Sequence, residues 1–151
     1  MKPQFERVYT MTDYYDGPRG GVANFRGAPH LYRSVYLDSE TWDPDEDRFE
    51  LQPISSEALK LALEDWAIWR RWEDAFHAGQ TDESTHPALP EDRARHEVVE
   101  AALARELAAT ANRRFIVRGD FRAVERPVDL PDGAISTLEV CWFNVHDDQQ
   151  G

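Results

Sequence analysis

The chain has little with which to cross-link or chelate. Its one cysteine, Cys141, excludes an intrachain disulfide framework and a Cys-based zinc site. Lysine is almost missing: Lys2 and Lys60 stand beside fifteen arginines, a balance suited to bidentate or half-buried ion pairs. No apolar run approaches the roughly 18 residues a membrane-spanning helix needs, and mean hydropathy is −0.67. Positive charge is in deficit, 17 basic against 29 acidic residues, net −12, which opposes a general role in coating DNA or RNA. Residues 1–11 lack the basic and apolar regions of a secretory signal, and with a lone thiol this predicts a cytoplasmic location. Repeats and low-complexity tracts are absent as well. What is present is 151 residues, 41% apolar and 11% aromatic, enough for a single domain with its own core.

Punctuation divides the chain into three parts. Residues 5–53 read as strands: Phe5 to Thr12, Gly21 to Phe25, His30 to Leu37 and Arg48 to Pro53, with Arg26-Gly27 spaced for a tight hairpin. Residues 55–112 read as two helices. Ser55 or Ser56 caps the first, which runs to His77 before Gly79; the second opens at Pro90-Glu91-Asp92 and reaches about Ala111. Residues 114–146 read as a hairpin turning at Pro131-Asp132-Gly133. Phe115, Val117, Phe121 and Ala123 share one of its faces, and Leu138, Val140 and Trp142 another. The order β-β-β-β-α-α-β-β predicts an α+β fold, a mostly antiparallel sheet with a packed helical pair.

Placed at about 100° per residue, the first helix is apolar around more than half its circumference. Leu59, Ala62, Leu63, Trp66, Trp69, Trp72 and Phe76 lie in that arc, and so do two acids, Asp65 and Glu73. A carboxylate there requires a donor. Arg70 serves Glu73 at i, i+3; for Asp65 the expected partner is an arginine of the N-terminal strands, such as Arg19 or Arg33.

Two segments hold candidate binding residues. The first is the loop Asp13-Tyr14-Tyr15-Asp16-Gly17-Pro18-Arg19, near His30 and Tyr32. Asp13, Tyr15, Asp16, Arg19, His30, Tyr32 and Asp65 form the candidate ligand-binding set, since carboxylate, imidazole and phenol suit proton transfer and Arg19 suits an anion. The glycines match neither a P-loop nor a dinucleotide fingerprint. The second runs from Asp38 to Glu50, with seven acids and one arginine. Asp43, Asp45, Glu46 and Asp47 form the candidate surface for a basic partner. A calcium loop is excluded, because its sixth position is Arg48 rather than Gly and its twelfth Ile54 rather than Glu. The histidines form no H-x-x-x-H pair. His96 shares a stripe with Val99, Leu103 and Leu107 and reads as a satisfied, half-buried side chain, while His86-Pro87 is placed to fold back over His77. No metal site, cofactor or catalytic residue is expected.

The strings Tyr14-Tyr15-Asp16-Gly17-Pro18-Arg19-Gly20-Gly21-Val22-Ala23, Glu64-Asp65-Trp66-Ala67-Ile68-Trp69-Arg70-Arg71-Trp72 and His86-Pro87-Ala88-Leu89-Pro90 resemble a family of small uncharacterised bacterial proteins. The resemblance runs from the first strand into the second helix. It implies a bacterial, cytoplasmic origin and nothing catalytic.

Three readings follow. The first is a soluble, acidic, non-enzymatic interaction protein, in its sharpest form an immunity-type inhibitor of a basic partner. The second is a small-ligand binder or enzyme using the Asp13–Arg19 loop with His30. The third is a structural module that forms homo-oligomers. None involves nucleic acid or a membrane.

Overall fold

A computed structural model describes residues 4–14, 18–38, 43–129 and 135–144. The fold is α+β, and the chain forms two compact units: residues 1–54 with 110–151, and residues 55–109. No helix among the described residues is long and apolar enough to cross a membrane.

The first unit is an antiparallel sheet of β1 (Glu6–Arg7), β2 (Asp13–Tyr14), β3 (Pro18–Phe25), β4 (Ala28–Asp38), β5 (Asp43–Pro53), β6 (Phe115–Asp129) and β7 (Ile135–Phe143), in the order β1-β7-β6-β5-β4-β3-β2. Its two ends meet. Glu6 pairs with Val140 of β7, and two residues later Val8 bridges Ala23 of β3. Asp13 then pairs with Gly20. Residues 6–14 thus act as one interrupted strand that closes the sheet into a barrel.

The interruption explains why the expected strand from Phe5 to Thr12 is broken. The N–H groups of Tyr9 and Thr10 both donate to the Val22 carbonyl, at 2.8 and 3.2 Å. The Thr10 hydroxyl accepts from the Val22 N–H at 2.9 Å. This is a bulge, with two residues facing one. It presses the Thr10 carbonyl against Gly21, where a Cβ would overlap it.

Alternation sends one face of every strand inward. The core holds Val8, Ala23, Tyr32, Phe49, Leu51, Val117 and Val140, with Phe25, Phe115, Phe121, Leu138 and Trp142 packed against it. The two faces expected in the C-terminal hairpin are one surface, since Phe121 pairs with Val140 and Ala123 with Leu138. Rings fill the interior: Tyr32–Phe121 centroids lie 5.3 Å apart, Phe49–Phe121 5.3 Å and Phe49–Trp142 5.8 Å. Burying one such ring contributes about 1.5–3 kcal/mol. The hairpin turn at Arg26-Gly27 has positive φ at both residues, 53° and 79°, the two-residue geometry that matches strand twist.

β5 begins at Asp43, five residues before the expected Arg48. The segment read as an acidic loop is therefore strand from Asp43 onward, paired to β4 through Tyr36↔Pro44 and Asp38↔Asp43. Pairing outweighs the weak strand propensity of its acids. The expected turn at Pro131-Asp132-Gly133 lies outside the described residues.

The second unit is α1 (Ser56–His77) and α2 (Arg93–Ala109), joined by short turns. The Ser55 hydroxyl caps α1 by accepting from the Ala58 N–H at 3.0 Å. Beyond its C-terminus, Gly79 has φ +74° and Gln80 N–H donates back to the Ala75 carbonyl. The Pro90–Asp92 segment is a separate tight turn, so α2 starts at Arg93 and ends two residues before the expected Ala111. Buried residues of α1 include Leu61, Leu63, Trp66, Ile68 and Trp72, spread over more than half the circumference as expected; α2 buries Val99 alone.

Candidate functional site

The first candidate set does not converge. Asp13 sits on β2 opposite Gly20, Arg19 on β3, and Tyr15 and Asp16 lie outside the described residues. Arg19, Tyr32 and His30 all occupy inward positions, with exposures of 9%, 1% and 8%. Gly20 pairs with Arg33, so Arg19 faces the level of Ser34, four residues along β4 from His30. At about 3.4 Å per residue this separates Arg19 from His30 by roughly 14 Å. They mark different ends of the barrel.

Each is held there by its neighbours. The Tyr32 hydroxyl donates to the Thr10 carbonyl at 2.9 Å, fixing the bulge. His30 Nδ1 donates to the Ala28 carbonyl at 2.9 Å. Its ring lies between Phe25 and Phe115, at centroid distances of 5.3 and 5.7 Å. At the other end, Ser34 is 6% exposed and its Oγ has no hydrogen-bond partner among the described residues.

Asp65 belongs to α1, and its partner is not the expected arginine. It accepts from Nδ1 of His96 on α2 at 2.8 Å, while His96 Nε2 lies 3.1 Å from Glu100. Arg33 instead donates to Glu50 at 2.8 Å. The expectation failed because strand and helix partners cannot be ranked without contacts, and an imidazole opposite on the neighbouring helix was nearer. His96 is the satisfied, half-buried histidine its stripe implied, and Arg70 meets Glu73 at 3.3 Å as the i, i+3 spacing requires. Nor does His86 cover His77: its ring stands edge-on to Trp72 at 4.6 Å, beside the Trp72 Nε1 bond to Thr85. Asp43, Asp45, Glu46 and Asp47 lie along the start of β5.

Sequence reasoning missed an open groove of about 1210 Å³ at the His30 end of the barrel. Phe25, Phe115 and Trp142 line it, with Ile116, Phe143 and Glu6. Phe25 and Phe115 rings lie 5.1 Å apart, and Trp142 is anchored by its Nε1 bond to the Asn24 carbonyl at 2.7 Å. Glu6 holds one wall in place. Its carboxylate accepts from the N–H groups of Arg26 and Gly27, at 3.0 and 2.7 Å, so β1 grips the β3–β4 turn. Ile116 and Phe143 point outward and are 44% and 45% exposed. The sequence did carry a signal for these two: apolar runs such as Phe115-Ile116-Val117 and Trp142-Phe143 break strand alternation and put one apolar side chain outside.

On the groove's outer side Cys141 is buried, and desolvation pushes its thiol above the usual range, the direction of a poor nucleophile at neutral pH. Compared with protein-family models, with curated proteins and with solved structures, the chain matches none of them.

Proposed function

We propose that the chain is a non-enzymatic interaction protein of the cytoplasm, of the immunity type, that binds a basic protein partner. The observation that supports this most is the contrast between a barrel interior filled by its own rings and a groove at the barrel end with outward apolar side chains. A filled interior suits a scaffold rather than a small-molecule container. Exposed apolar groups at a groove rim suit a protein surface. The net charge of −12 adds the sign of the partner, since long-range attraction speeds encounter with a cation-rich surface.

The test is affinity capture from a bacterial lysate, with identification of what is retained. Replacing Asp43, Asp45 and Asp47 together by Lys should abolish capture of the basic partner with stability nearly unchanged. Retained capture by that triple variant overturns the assignment of these acids.

One observation favours a second reading. The Ser34 hydroxyl, which has no hydrogen-bond partner among the described residues, shares the opposite end of the barrel with the Arg19 guanidinium, and hydroxyl and guanidinium together suit a small carboxylate or phosphate ligand. A thermal-shift screen of such anions decides it: a hit lost in Arg19→Ala but kept in His30→Ala supports this end of the barrel, and equal loss in both rejects it.

A further inference from the structure

α2 has two apolar faces, where a helix on a protein surface needs one. The stripe it shares with His96, which meets Asp65 of α1, carries buried Val99 and half-buried Leu103 and Leu107. At about 100° per residue, Ala101 lies roughly 160° around the helix from both Val99 and Leu103. On that far side Ala94, Val98, Ala101, Ala104 and Ala108 are all exposed. Val98 is 56% exposed, more than any other large apolar residue among those described.

Apolarity alone does not name what covers this face. Its charges do. Glu97 precedes Ala101 by four residues and Arg105 follows it by four, both exposed on the same side. About 12 Å of helix rise separates them, too far for an ion pair within one helix. The face is also a palindrome about Ala101. Reversing the helix there places Ala94 on Ala108, Val98 on Ala104 and Glu97 on Arg105. A second copy of α2 laid antiparallel, with a two-fold axis at Ala101, therefore brings each Glu97 beside Arg105 of the other copy and closes two ion pairs. A parallel copy sets Glu97 against Glu97 and Arg105 against Arg105, so like charges oppose it. Alanine at the centre allows the helix axes to approach to about 8 Å.

We infer that the chain associates with a second copy of itself through this face of α2, antiparallel and reversibly. The size of the face sets the strength. The 17 residues of α2 rise about 25 Å, and a helix is about 10 Å wide, so the face is well below the roughly 800 Å² per partner of a standard interface. Repulsion between two chains of net charge −12 weakens the pair further at low salt. At physiological ionic strength that repulsion is screened beyond about 8 Å, while the Glu97–Arg105 contacts are closer than this. The inference goes beyond the reading of a basic partner and does not rest on it.

The experiment is sedimentation velocity of the full chain at physiological salt, from micromolar to near-millimolar concentration. The sedimenting mass should rise from 17.4 kDa toward twice that value. Glu97→Arg and Arg105→Glu should each weaken association at least tenfold, and the two together should restore it. Ala101→Glu places like charges at the two-fold axis on an exposed, helix-compatible position. It should weaken association at least tenfold with an unchanged circular dichroism spectrum. Orientation is read by oxidation. Ala94→Cys mixed with Ala108→Cys should give a disulfide-linked pair, and Ala94→Cys by itself should not.

Four results overturn the inference. A mass that stays at 17.4 kDa at every concentration rejects the pair. Association indifferent to Ala101→Glu places the contact on another surface. A double charge exchange no better than either single one removes the ion pairs on which the choice of a second copy rests. Efficient cross-linking of Ala94→Cys to itself makes the pair parallel. None of these variants touches Asp43, Asp45 or Asp47, so self-association and capture of a basic partner are kept or lost independently.

Discussion

The barrel and the helical pair are held by different forces. Inside the barrel the contacts are ring against ring, and the polar links are backbone ladders and a few buried hydroxyls such as Thr10 and Tyr32. Between α1 and α2 the links are ionic. Glu64 meets Arg95 through two hydrogen bonds of 2.5 and 2.7 Å and Asp65 meets His96, while Arg71 of α1 meets Asp92 of the turn just before α2 through two of 3.0 Å. α2 has one fully buried residue, Val99, with Ala102, Leu103 and Leu107 half-buried beside it, so its apolar stripe is thin and the ion pairs add to it. The lesson is that one chain combines a core of packed rings, whose contacts do not depend on salt or pH, with a helical seam whose ion pairs depend on both.

The sharpest way to break that contrast is in the barrel. Phe49, 1% exposed, touches Tyr32, Phe121 and Trp142. Phe49→Ala should cost roughly 3–5 kcal/mol in urea unfolding, equally at low and high salt. A loss that varies with salt would erase the distinction.

In the helical unit, Asp65→Ala should cost roughly 1–2 kcal/mol, read from the helical circular dichroism signal, because a hydrogen-bonded acceptor is lost. The figure is smaller than for a fully buried pair because the Asp65 side chain is 33% exposed. A loss as large as that of Phe49→Ala would place this seam among the core contacts.

The smallest effect is on pH. Hydrogen bonds from the Arg95 guanidinium hold the Glu64 carboxyl below its ordinary value of 4.5. A depressed folded value contributes stability that is present above the ordinary value and lost as pH falls through the folded one. The stability gap between the chain and Glu64→Gln should therefore close as pH drops below 4.5. A constant gap across that range would mean the pair is solvated and inert, as many exposed ion pairs are.

Local signals carried much of this architecture. Ser55 and Gly79 bounded α1 because caps act within one turn, and Arg26-Gly27 marked a hairpin because its two positive φ angles are local. Inward residues of β6 and β7 followed from a period of two. Features built by distant residues did not show. Glu6 grips a turn twenty residues away, Asp65 meets His96 on another helix, and β5 extends under its acids because β4 is there to pair with. The candidate binding residues shared this limit: Arg19, read as a loop residue, lies on β3 beside the strand that carries Tyr32 and His30, and strand rise separates it from His30.

Closure of the barrel sets an order on synthesis. Glu6 leaves the ribosome long before its partner Val140, which lies 134 residues further along the chain. At roughly 5–20 residues per second the first strand waits on the order of 10 s for that partner. The α1–α2 pair, whose ion pairs join residues only 31 apart, is complete well before. Until β7 arrives, Val8 and the rings of β4 and β5 have no lid, and the nascent chain exposes the apolar surface that it later buries most fully.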